Sequence, residues 1–80
     1  MKLPRDLSGA ELAKNLGRVG YEVTRKTGSH IRLTIKEPVQ HHITIPAHDS
    51  LKIGTLSAIL GAVAAHLKLT RDELLERLFD

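Results

Sequence analysis

Ser29-His30-Ile31-Arg32-Leu33-Thr34-Ile35 alternates polar and apolar residues without interruption. Successive side chains of a strand point to opposite faces. Ile31, Leu33 and Ile35 therefore share one face, and His30, Arg32 and Thr34 share the other. Such a strand belongs to an antiparallel sheet with one face covered and one open to solvent. Upstream, Gly28 marks a turn, and residues 21–25 (YEVTR) alternate with Tyr21 and Val23 on one face. Downstream, Glu37-Pro38 supplies a loop and residues 41–45 (HHITI) form a third strand with Ile43 and Ile45 inward. Pro46 ends that strand because it has no N–H for a ladder.

Helices flank the strands. In Leu7-Ser8-Gly9-Ala10-Glu11-Leu12, Ser8 can cap the first free N–H groups while Glu11 reaches back, and Leu7 and Leu12 are placed as a hydrophobic staple. Leu12, Leu16 and Val19 recur at helical spacing, and Gly20 is the stop. Residues 47–50 read as a loop. A second helix runs from Lys52 or Gly54 to Leu67, with Leu56, Ile59, Leu60 and Val63 on one stripe. The capping device then returns as Leu69-Thr70-Arg71-Asp72-Glu73-Leu74, opening a short third helix with Leu74, Leu75 and Leu78. The expected order is α-β-β-β-α-α, an α+β layer with the helices on one face of a three-stranded antiparallel sheet.

Residues 1–80 are expected to form a single domain. A chain of this size buries only roughly 60% of its unfolded surface, so its core is thin. Cysteine is absent, which removes disulfides and thiolate metal sites. Aromatics are reduced to Tyr21 and Phe79, so the core must be aliphatic. No signal peptide or membrane span is expected, and the expected location is the cytoplasm. The formal net charge is +3. Residues 1–70 hold ten Lys/Arg against five Asp/Glu, whereas residues 71–80 hold two against four. A basic body with its acidic excess in the last helix favours a polyanionic partner, and equally describes an ordinary basic surface.

Lys26-Thr27-Gly28-Ser29-His30 carries the strongest chemical signal. Cleaving a phosphodiester needs one proton removed, one delivered, and donors or positive charge at the phosphate. An imidazole does the first two at neutral pH. Gly28 lets a phosphate approach the backbone, Ser29 donates, and Lys26 with Arg32 supplies charge. The same residues also read as a hairpin turn followed by an exposed strand histidine; chemistry alone leaves both readings open. Lys52 opposes the dipole at a helix start unless an anion sits there, and His48 follows Pro46 in a loop near the same edge. His42 and Thr44 are expected beside Arg32 on the open face. His41 and His42 point to opposite faces and cannot chelate one ion together. His30, His42 and His48 have no carboxylate–His ligand pattern behind them, so no metal or other cofactor is expected. His66 lies off the apolar stripe, as a surface or helix-end residue.

Together these pieces resemble the HicA toxin family, also called YcfA-like. The resemblance runs in order through Ser8-Gly9-x-Glu11-Leu12 and Leu16, Gly20-Tyr21-Glu22-Val23, Lys26-x-Gly28-Ser29-His30, Thr44-Ile45-Pro46-x-His48 and Gly54-Thr55-Leu56-x-x-Ile59-Leu60. Members often carry a second polar residue after the motif histidine; here Ile31 follows, and alternation turns it inward. The resemblance implies a fold like the double-stranded-RNA-binding domain. It also implies an mRNA interferase whose essential histidine is His30, and a HicB antitoxin that blocks the site.

The alternative is a non-catalytic RNA-binding module. A duplex binder of this topology carries a basic cluster at the start of its last main helix. Lys52 is followed instead by Ile53-Gly54-Thr55-Leu56. This favours a single-stranded message as substrate. A pure protein-interaction domain is a third reading, which salt-dependent RNA affinity would exclude.

Overall fold

The computed structural model describes residues 3–79. Helix α1 (Gly9–Leu16) opens at the expected capping box: Ser8 Oγ accepts from the Glu11 N–H and Glu11 Oε1 accepts from the Ser8 N–H, each at 3.0 Å. The helix is shorter than its apolar spacing suggests, because Gly17–Val19 tightens into a 3₁₀ turn that Gly20 ends at φ 106°. Glycine alone adopts that conformation without strain.

Strands β1 (Glu22–Lys26), β2 (His30–Ile35) and β3 (His41–Pro46) follow in one antiparallel sheet of order β1-β2-β3. Helix α2 (Ile53–Leu67) starts after Lys52, and α3 (Arg71–Phe79) opens on a second reciprocal cap between Thr70 and Glu73. This is an α+β arrangement like that of a double-stranded-RNA-binding domain, with α3 added. α1 packs on all three strands and α2 on β3, while α3 packs on α2, α1 and the 3₁₀ turn. No single helix is long and apolar enough to cross a membrane.

Ile31, Leu33 and Ile35 are buried, as the alternation requires. They join Ile43, Ile45 and the leucines of the helices in one aliphatic cluster. Leu12, Leu16, Leu33, Leu56, Leu60, Leu74, Leu75 and Leu78 are among its fully buried members. Each such side chain contributes about 1.5–3 kcal/mol.

Three features of β1 and α2 depart from the sequence pattern. Val23 pairs with Leu33 and faces the helix side, yet remains 52% exposed. α1 reaches this edge only in part and leaves a cleft between Val23 and Ala10, Ala13 and Lys14. The register then shifts: Val23 pairs with Leu33 but Arg25 with Arg32, so Thr24 is an extra residue, a β-bulge. In α2, His66 is not a plain surface residue. It is half-buried, and its ring stacks on that of His41 at 4.4 Å.

One close approach ties the layers together. A side chain at Gly9 would overlap the Pro46 carbonyl oxygen, and the Gly9 N–H donates to the His48 carbonyl at 3.0 Å. The first turn of α1 thus lies directly on the end of β3.

Candidate active site and nucleic-acid interface

His30 begins β2, opposite Pro46, and is exposed. Its backbone is held from two sides. The Thr27 N–H donates to the His30 carbonyl at 2.9 Å, and Thr27 Oγ1 accepts from the His30 N–H at 3.1 Å. Across the next strand the Ala47 N–H donates to the Ser29 carbonyl at 2.9 Å. The ring is set by Ser29, whose Oγ lies 2.9 Å from His30 Nδ1. Nε2 is left for solvent or a ligand. A local hydroxyl and a tied hairpin therefore present one imidazole nitrogen outward from the end of a rigid strand.

The open face of the sheet continues from this residue. Arg32 lies two positions on, opposite both Arg25 and Thr44. Thr24, Arg25, Arg32, Thr34, Lys36, Gln40 and His42 line a groove of about 360 Å³. Its floor is a hydrogen-bonded row across three strands: Thr24 Oγ1 lies 2.9 Å from Thr34 Oγ1, which lies 2.7 Å from His42 Nδ1. Thr34 is the buried polar residue of the sheet, covered by these two neighbours. Placing His42 and Thr44 on this face agrees with the alternation.

The structure does not bring every expected residue to this face. The bulge turns Lys26 to the helix side, where it pairs with Ile31 and lines a cleft of about 200 Å³ with Ala10, Ala13, Lys14 and Val23. Lys26 therefore does not share a face with Arg32. Gly28 has no left-handed φ, and a side chain there would meet nothing within 4 Å. The fold has no need of glycine at this position. His48 is exposed in the loop that leaves Pro46, at the same end of the sheet as His30. The exposed Lys52 instead lines a separate cleft with Leu3, Arg5 and Asp6 and is not brought to His30. Among the described residues no group of three or more His, Cys, Asp or Glu side chains could hold a metal ion.

The family model for the HicA toxin of bacterial toxin–antitoxin systems matches residues 9–68, which spans α1 to the end of α2. The chain belongs to the HicA toxin family. It is thus the toxin component of a toxin–antitoxin system, a class that has an antitoxin as partner. No curated protein and no solved structure matches.

In this HicA-family chain a second histidine cluster lies on the far side of the sheet. Tyr21 Oη is 2.8 Å from His41 Nδ1, and the His41 ring stacks on His66, whose Nε2 is buried with no hydrogen-bond partner. Burial pushes the Tyr21 phenol up to about 12. His41 is held below its ordinary 6.5, first by burial and then by the positive charge that His66 and His42 can carry. The cluster joins β3 to α2 rather than facing the groove.

Sequence reasoning missed Arg25 and the Tyr21–His41–His66 cluster. A signal for the first exists. Regular alternation from Val23 would bury Arg25 under the helices, and a cation at an inward position of an edge strand points to a bulge.

Proposed function

We propose that this HicA-family chain is an endoribonuclease that cleaves single-stranded message, with His30 as general acid or base. The observation that carries this reading is the exposed His30 imidazole. Its Nδ1 is engaged by Ser29 and its Nε2 is free, on the same sheet face as Arg32. The 2′-hydroxyl attacks the adjacent phosphorus and loses its proton as the 5′ oxygen leaves and gains one. The products are a 2′,3′-cyclic phosphate and a 5′-hydroxyl end. His30 performs one of these transfers, and Arg32 with the Ser29 hydroxyl steadies the charge on the phosphorane oxygens. Gly28 has open space around it and no backbone reason to be glycine, which suits close approach of a phosphate. His48 borders the same end, while an anion bound at Lys52 in the neighbouring cleft would relieve its opposition to the α2 dipole.

Residues 1–80 act as one domain in the cytoplasm, and the antitoxin is HicB-like, covering His30 when bound. Analysis of the product ends separates attack by the 2′-hydroxyl from attack by water. Replacing His30→Ala is expected to lower cleavage of a single-stranded RNA by roughly 10²–10⁴-fold while the circular dichroism spectrum stays unchanged. Cleavage at the native rate by folded His30→Ala would overturn the assignment. Tight duplex binding without cleavage by the unaltered protein would point instead to a binding module.

A further inference from the structure

We infer that Arg25, carried onto the open sheet face by the bulge at Thr24, forms with Arg32 a phosphate-binding subsite for single-stranded RNA beside the His30 corner. This deepens the ribonuclease reading and rests on it. In a regular strand Thr24 and Arg25 would point to opposite faces. With Thr24 as an extra residue, both line the same groove, and Arg25 stands directly across from Arg32. Like charges paired directly across two strands are unfavourable. A single anion between two guanidinium forks removes the conflict and is gripped by both.

The composition of the groove selects the ligand. Its lining holds three cations (Arg25, Arg32 and Lys36) and no carboxylate. Glu22 and Glu37 line the adjoining cleft, which shares Thr24, Thr34 and Lys36 with the groove. These carboxylates therefore lie at its Lys36 end and away from Arg25 and Arg32. Every lining residue carries a polar group, with Thr24, Thr34, Gln40 and His42 completing the set. A protein partner would be anchored by apolar side chains at the centre of its contact, and this lining offers none. A ribose-phosphate chain needs no such patch. Direction follows from β2. His30, Arg32 and Thr34 face the same way, and each two-residue step advances about 7 Å. A strand of RNA with its scissile phosphate at His30 therefore presents its neighbouring phosphate to Arg32 and Arg25, and later ones to Lys36. No Phe, Tyr or Trp lines the groove, so base stacking there is limited to the His42 ring and the guanidinium planes. Arg25 sets affinity for the backbone and not the sequence cleaved.

The test is a salt series with one single-stranded RNA oligonucleotide, reading both cleavage kinetics and fluorescence-anisotropy binding. Arg25→Gln is expected to raise KM several-fold with kcat unchanged, and to reduce the slope of log Kd against log salt by about 0.7. Arg25→Lys, which keeps the charge, should restore the slope. Arg77→Gln, a charge-matched change on α3, should move neither. Unchanged KM and slope in Arg25→Gln, with the unaltered protein cleaving, would overturn the subsite and leave the ribonuclease standing. Absence of cleavage by the unaltered protein, with the salt slope still lowered in Arg25→Gln, would remove the ribonuclease and keep the subsite. Loss of antitoxin affinity in Arg25→Gln with RNA binding intact would overturn the inference in favour of a protein contact.

Discussion

Gly9→Ala tests the contact between α1 and β3 most sharply, because the simplest expectation has the opposite sign. Alanine is the better helix former, and replacing an unhindered glycine by alanine stabilises by roughly 0.4–1 kcal/mol. At Gly9, however, the added carbon would overlap the Pro46 carbonyl oxygen and crowd the Pro46 carbonyl carbon and Ala47 Cα at 3.1 and 3.3 Å. These are backbone atoms, so no rotamer change relieves the clash. Either α1 or the end of β3 must move, which strains the Gly9 N–H bond to the His48 carbonyl. Overpacking of this kind costs about 1–3 kcal/mol. The net loss is about 1–2 kcal/mol, and a domain of this length loses about 4–8 °C of Tm for each kcal/mol. Thermal unfolding followed by circular dichroism should show a fall of roughly 5–15 °C. Gly54→Ala is the internal control. It lies in the first turn of α2 with nothing within 4 Å of the added carbon, and should leave Tm unchanged or slightly raised. If Gly9→Ala matched Gly54→Ala, the close approach described between α1 and β3 would be wrong.

Gly28→Ala should separate fold from chemistry. Its stability is expected within about 0.5 kcal/mol of the unaltered protein, while RNA cleavage falls. A lower Tm with cleavage intact would assign Gly28 to the turn alone. The His41–His66 pair predicts acid lability. His41 binds its proton less readily folded than unfolded, so the unfolded chain takes up more protons as pH drops below 6.5. The stability is fully present above that value and is lost as pH falls through the lower folded one. Urea midpoints on either side of 6.5 should show this, and His66→Leu, which removes the opposing charge and the unpartnered Nε2, should flatten the dependence. A midpoint independent of pH would contradict the pairing.

Much of the fold was legible because two local signals are unambiguous. The period of two from Ser29 to Ile35 dictates a half-covered strand. The reciprocal Ser8–Glu11 and Thr70–Glu73 caps each mark a helix start that needs no tertiary contact to explain it. The His30 end of the site was legible for the same reason: alternation decides which face a strand residue takes. Lys26 and Arg25 were not, since a bulge exchanges faces beyond itself and depends on pairing with β2. His66 was obscured differently. Its place on the helix wheel is off the apolar stripe, but the ring of His41, distant in sequence, lies flat against it. Val23 illustrates the remaining limit: facing inward is not the same as being covered, and coverage depends on how far α1 reaches over the sheet edge.

The extra residue at Thr24 makes β1 a strand whose two halves are read in opposite phase. Substitutions there change one side chain at a time, whereas losing one residue between Val23 and Arg25 would rephase a whole half-strand. Either the Tyr21 end would be turned out of the core, or the cations near the hairpin would trade sides. Length polymorphism in this short segment is therefore tolerated less than exchange of its residues.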